Sequence, residues 1–117
     1  NTDPAVIRAT KEADLVSMPG AMTPSEIFTA YQAGADFVKV FPAANLGPAY
    51  IKAVRSPFPQ IPLVAVGGVD EKNMAEFLKV GIAGFGIGGN LVNKTWIREG
   101  AFDKITALAQ TMCEIVK

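Results

Sequence analysis

Short apolar runs alternate with amphipathic stretches along the whole of this 117-residue chain. Four of the runs read as strands: Leu15 to Met18, Phe37 to Phe41, Leu63 to Val66 and Gly84 to Ile87. They are short, mostly apolar and bounded by glycine or proline, as strands buried on both faces are. The stretches between them carry helix signals. Thr2 or Asp3 can cap an opening helix that has Pro4 at its first position. Thr23-Pro24-Ser25-Glu26 is a capping box leading into Ile27, Phe28, Ala30 and Tyr31, with Gly34 as the stop. Gly47-Pro48 starts a third helix, which ends at Ser56-Pro57 because a residue before proline leaves helical geometry. Asp70 caps a fourth, stopped by Gly81. The last, from about Ala101 to Val116, places Ile105, Leu108, Ala109, Met112, Ile115 and Val116 at helical spacing.

The strands begin about 21 to 26 residues apart, which fits one strand and one helix per repeat and a parallel sheet. Such βα units build either a barrel or a doubly wound sheet. Four units cannot close an eight-stranded barrel, and an open half leaves two unpaired strand edges. The chain is therefore expected to dimerise, to pair with a missing half or to be marginally stable. Because it opens inside a structural element, it reads as one partial domain, residues 1–117.

Half of the residues are hydrophobic and 19% are charged, the pattern of a soluble globular domain. Eleven basic residues balance eleven acidic ones, so no general field draws the chain to nucleic acid or an anionic membrane. No signal segment or membrane-length apolar run is evident, and a cytoplasmic protein is the default expectation. With no histidine, imidazole catalysis and histidine-ligated metals are excluded within this chain. Cys113 lacks a disulfide partner and is expected on the buried side of the last helix.

Lys39 is the oddest residue, because it sits in the middle of an apolar strand where a charge is expensive to bury. Phe37, Lys39 and Phe41 share one face; Val38 and Val40 take the other. A desolvated ammonium loses its preference for the charged form, so a lysine in such a place can serve as a nucleophilic amine. It can equally be a strand lysine snorkelling to water beside Asp36. Two glycine pairs, Gly67-Gly68 and Gly88-Gly89, follow the third and fourth strands. Backbone amides freed of side chains there can cradle a phosphate, or the pairs can simply make turns that need positive φ. Gly84-x-Gly86-x-x-Gly89 fits the dinucleotide spacing, but its first glycines lie in the strand. The carboxylates read as caps and solvated faces. Ser17 and Thr23 flank the first strand's end and could touch a substrate.

Phe37-Val38-Lys39-Val40-Phe41-Pro42-Ala43, followed by Asn45-Leu46-Gly47-Pro48-Ala49-Tyr50, resembles the sixth strand and next helix of the 2-keto-3-deoxy-6-phosphogluconate (KDPG) aldolase family. Val64-Ala65-Val66-Gly67-Gly68 and Gly86-Ile87-Gly88-Gly89-Asn90-Leu91-Val92 resemble its seventh and eighth strands in the same order, and the likeness covers essentially the whole chain. The resemblance implies the C-terminal half of a TIM (β/α)8 barrel, commonly trimeric, from a class I aldolase. Such an enzyme cleaves a phosphorylated 2-keto-3-deoxy sugar acid to pyruvate and glyceraldehyde 3-phosphate. It implies Lys39 as the imine-forming lysine, Phe41, Pro42 and Val66 around the substrate, and Gly67, Gly68, Gly88, Gly89 and Asn90 around the phosphate. It implies no metal and no cofactor, since the imine is the electron sink.

Two residues depart from the gluconate-type pattern. Val66 stands where a threonine is usual, as in relatives acting on the 6-phosphogalactonate epimer, and Asn90 replaces a phosphate-site serine. The family's catalytic glutamate and carboxylate-binding arginine belong to the first half of the barrel, so this half is expected to be inactive alone. The other readings of the residues are a non-catalytic phosphate-binding half barrel or assembly module, and another phosphate-binding barrel of the thiamin-phosphate-synthase kind.

Overall fold

A computed structural model describes residues 1–117. In chain order the elements are α1 (Pro4–Glu12), β1 (Gly20–Ala21), α2 (Pro24–Gln32), β2 (Val38–Val40) and α3 (Ala43–Arg55). These are followed by β3 (Leu63–Val66), α4 (Met74–Lys79), β4 (Gly84–Gly86), α5 (Lys94–Arg98) and α6 (Phe102–Ile115). The four strands form one sheet in sequence order, every neighbouring pair parallel. Gly20, Lys39, Val64 and Gly84 lie in one row across it, and Ala21, Val40, Ala65 and Phe85 in the next.

The α/β class and the four parallel strands agree with the sequence reading. Side chains of the second row turn to the helices. Val38, Val40, Leu63 and Ala65 are buried there with Ile7, Ile27, Ala30, Ile51, Val54 and Phe77. The first row faces the other way, onto a side that no helix covers.

Helix starts follow local chemistry. The Asp3 carboxylate accepts from Ala5 N at 2.9 Å, with Pro4 in the first turn of α1. The Thr23 hydroxyl accepts from Glu26 N, and the Glu26 carboxylate accepts from Thr23 N, completing the capping box of α2. Gly34 (φ +102°) and Gly81 (φ +84°) end their helices in the left-handed conformation, as expected.

Four expectations are corrected and one element is added. The first strand is Gly20–Ala21 rather than Leu15 to Met18, and Leu15, Val16 and Met18 are 59%, 68% and 46% exposed. Ser17 O and Pro19 O do accept from Phe37 N and Lys39 N, but Pro19 has no N–H to extend a ladder, and no strand pairs with this edge on its other side. Helix α3 begins at Ala43 and breaks at Gly47 (φ +79°), so Gly47-Pro48 restarts a helix already begun. Asp70 does not cap α4; its carboxylate closes a turn by accepting from Lys72 N and Asn73 N, and Asn73 is the cap position. Helix α5, capped by the Asn93 side chain, was not expected, because Lys94 to Arg98 is too short to show a period. Cys113 is exposed. It lies at the rim of an apolar groove of about 590 Å³ between α4, β4 and α6, where α6 is only partly covered.

Candidate active site

Strand β2 sets Lys39 on the uncovered face, half-buried, between Gly20 of β1 and Val64 of β3. Its stem passes over Gly20: a Cβ there would lie 3.3 Å from Lys39 Cε and 3.9 Å from Nζ. The Nζ stands 5.6 Å from the centroid of the Phe41 ring, next on the same face. Both side chains line a cleft of about 340 Å³ with Thr2, Gly20, Met22 and Glu26. The partner that would make Lys39 an ordinary surface lysine is already engaged. Asp36 is gripped by Lys11 Nζ at 2.8 Å and accepts from Ser17 N at 2.7 Å. Those contacts, the Lys11 ammonium first, hold its carboxyl below the usual aspartate range.

Glu26, the capping-box glutamate of α2, is a further neighbour in this cleft. Its carboxylate shares the cleft with Lys39 while accepting from Thr23 N at 2.7 Å and Met22 N at 2.8 Å. The Thr23 amide, then the Met22 amide, hold it below the usual glutamate range, so it is a poor proton donor. The Tyr50 hydroxyl donates to Met22 O at 2.5 Å and fastens the same loop from α3. Burial, and secondarily the charge of Glu26, push that phenol up. A capping-box glutamate close to a strand lysine could have been found from the parallel order of the two strands, but the i to i+3 signal explains it fully without a site.

Phe41 is joined to Pro42 by a cis peptide and is 52% exposed. Val66 lies on the Lys39 face at the end of β3, paired with Gly86. The two glycine pairs are not equivalent. Gly67 and Gly68 have φ +96° and +71°, and side chains there would strike the Phe41 ring and the Ala44 Cβ. Turn geometry and packing already require glycine at both. Gly88 and Gly89 have no positive φ and no atom within 4 Å of a built Cβ. Neither φ nor packing requires glycine at these two positions. The backbone amides of Gly67, Gly68, Gly88, Gly89 and Asn90 donate to no group of the chain. Asn90 Nδ2 donates to Val69 O at 2.9 Å, tying the loop after β4 to the loop after β3. One of its two amide donors is thereby used.

Ser17 is 4% exposed and lines a second cavity of about 300 Å³ with Gly20 and Lys39, while the Thr23 hydroxyl serves its helix. No three His, Cys, Asp or Glu side chains come together as a metal site would need. No helix is long and apolar enough to cross a membrane.

The family described as KDPG and KHG aldolase matches residues 2–108. A probable 2-dehydro-3-deoxy-6-phosphogalactonate aldolase of Rhizobium meliloti is 46% identical over 92 residues, covering 78% of this chain and 43% of the relative. The 2-dehydro-3-deoxy-6-phosphogalactonate aldolase of Escherichia coli is 41% identical over 92 residues, 78% of this chain and 45% of its own. The solved structure described as native KDPGal superposes with a TM-score of 0.84 at 35% identity, over 97% of this chain and 56% of that one. The chain spans about half the length of the curated relatives it matches. With the lysine strand, the glycine loops and this likeness in agreement, the chain belongs to the KDPG and KHG aldolase family.

Proposed function

We propose that residues 1–117 are the C-terminal half of a (β/α)8 barrel, a single partial domain carrying the nucleophile and phosphate site of a class I aldolase. The observation that carries the reading is Lys39, a cation on the uncovered sheet face that no carboxylate pairs with, aimed past Gly20 toward Phe41. The Nζ lone pair attacks the C2 carbonyl of a 2-keto-3-deoxy-6-phospho sugar acid, and loss of water gives a protonated imine. A base takes the C4 hydroxyl proton, the C3–C4 pair flows into the imine, and glyceraldehyde 3-phosphate leaves. Protonation of the resulting enamine at C3 and hydrolysis return pyruvate and the free amine. No cofactor enters, because the imine nitrogen accepts the electron pair.

Phe41, Pro42 and Val66 form the apolar wall around the reacting carbons, while the free amides of Gly67, Gly68, Gly88, Gly89 and Asn90 hold the phosphate. Val66 and the higher identity to phosphogalactonate aldolases favour the galactonate over the gluconate epimer. Glu26, held ionised by two backbone amides, is not assigned the proton transfers. By the family resemblance these belong to a glutamate in the first half of the barrel, with an arginine there for the substrate carboxylate. The half alone is therefore inactive in cleavage, and the complete protein is a cytoplasmic homotrimer in the same reading.

The test is reduction with borohydride in the presence of pyruvate, followed by peptide mass spectrometry. A reduced adduct on Lys39, absent in Lys39→Arg, is expected. An adduct on another lysine, or none, overturns the assignment; phosphate-dependent stabilisation without any adduct would favour a binding module instead.

A further inference from the structure

Gly20 is a costly choice for an edge strand. Glycine loses more backbone freedom on folding than any other residue and is depleted in strands. Nothing in the local backbone asks for it, since Gly20 is not among the residues with positive φ. Nothing in the core asks for it either. The three atoms nearest a Cβ at position 20 are Lys39 Cε at 3.3 Å, Asn1 N at 3.8 Å and Lys39 Nζ at 3.9 Å, so the tightest contact is with the lysine. The strand cannot back away to make room. Pro19 O and Ala21 O accept from Lys39 N and Phe41 N at 2.8 and 3.1 Å on one side. On the other, Gly20 O accepts from the Thr2 hydroxyl at 2.8 Å. A side chain at 20 would therefore move the lysine.

We infer that Gly20 is a positioning residue for the Lys39 amine: its bare Cα is the slot in which the lysine stem lies, and it sets the direction from which Nζ meets a carbonyl. The inference rests on the proposed imine chemistry and adds to it a residue on a neighbouring strand. It separates position from stability. The atoms to be displaced are the far end of a flexible side chain, so a methyl group at 20 costs the fold little, whereas a sub-ångström error at a nucleophile is expensive in rate.

The experiment compares the wild-type chain with Gly20→Ala, Gly20→Val and Gly84→Ala. Gly84 is a control with matched folding demands: it lies in the same row on the other edge strand, and its nearest contact to a built Cβ is Val64 Cγ2 at 4.0 Å. Trapping on Lys39 is followed across pyruvate concentration. Expected is a plateau rate lowered several-fold in Gly20→Ala and about tenfold or more in Gly20→Val, with half-saturating pyruvate and circular dichroism unchanged and Gly84→Ala like wild type. A wild-type plateau in Gly20→Val, or a loss seen only in half-saturation, overturns the inference. Methylation of Lys39 by formaldehyde and cyanoborohydride, normalised to Lys72, needs no keto-acid site. If the wild type forms no pyruvate adduct, the aldolase reading has failed, and an unchanged methylation ratio in Gly20→Val sinks the Gly20 inference separately.

Discussion

The ring of Phe41 occupies the space that any side chain at Gly67 would need: a Cβ built there would lie 2.7 Å from Phe41 Cε2 and 2.8 Å from Cδ2. The aromatic wall of the cleft and the turn after β3 are thus one packed unit. Gly67→Ala should destabilise the chain by about 2 to 4 kcal/mol, from the left-handed φ and the overpacking together. Gly88→Ala and Gly89→Ala should stay within about 0.5 kcal/mol of wild type. Urea denaturation of the three variants checks this, and equal losses at 67 and 88 would refute the distinction.

The same pairs should part in ligand binding. Inorganic phosphate is expected to raise the melting temperature of the wild type, and to raise it less when Gly88 or Gly89 becomes valine, because the open approach to the amides is blocked. An undiminished shift in both variants would remove these residues from the anion site.

Tyr50→Phe removes the hydroxyl that donates to Met22 O and should cost about 1 kcal/mol. The loss should be accompanied by faster amide exchange at Met22 and Thr23, since α3 no longer holds that loop. In the wild type the phenol should titrate above an ordinary tyrosine, in the direction that burial dictates. Spectrophotometric titration at 295 nm reads it.

Asp36 links the end of α1 to the start of β2 through Lys11 and Ser17 N. Its folded value is depressed, so its contribution is fully present above the unfolded value, about pH 4. It is lost as pH falls through the lower folded value. Asp36→Asn should therefore lower the denaturation midpoint at pH 7 and flatten the acid limb below pH 4. A variant curve parallel to wild type throughout would contradict the linkage.

Cys113 should react with a thiol-specific disulfide reagent without denaturant, as an exposed residue must. Reaction appearing only in urea would place it back in the core.

The parallel sheet was legible because continuous apolar runs and glycine stops repeat once per βα unit, and Lys39 stood out as a charge inside such a run. What escaped had definite causes. The first strand was misplaced because Leu15, Val16 and Met18 are apolar for a face that stays open, and sequence cannot say which apolar face is covered. Helix α5 spans five residues, fewer than two turns. Cys113 falls at helical spacing from Ala109 and Val116, yet Met112 is the one buried residue of α6. In the candidate site, both glycine pairs look alike as letters. Only φ and the atoms around a built Cβ separate the pair that the backbone demands from the pair it does not. Gly20 was invisible because its reason lies across a strand.

The alternation of β2 also bears on how the chain assembles. Val38 and Val40 are 0% exposed while Lys39 faces outward. A slip of one residue against β3 would exchange them, driving an unpaired ammonium among Ile27, Ala30 and Ile51. The charge of Lys39 therefore disfavours the slipped register, whatever the amine does chemically. Replacing it with leucine should silence the amine and, in the same stroke, license a misaligned sheet that the native sequence forbids.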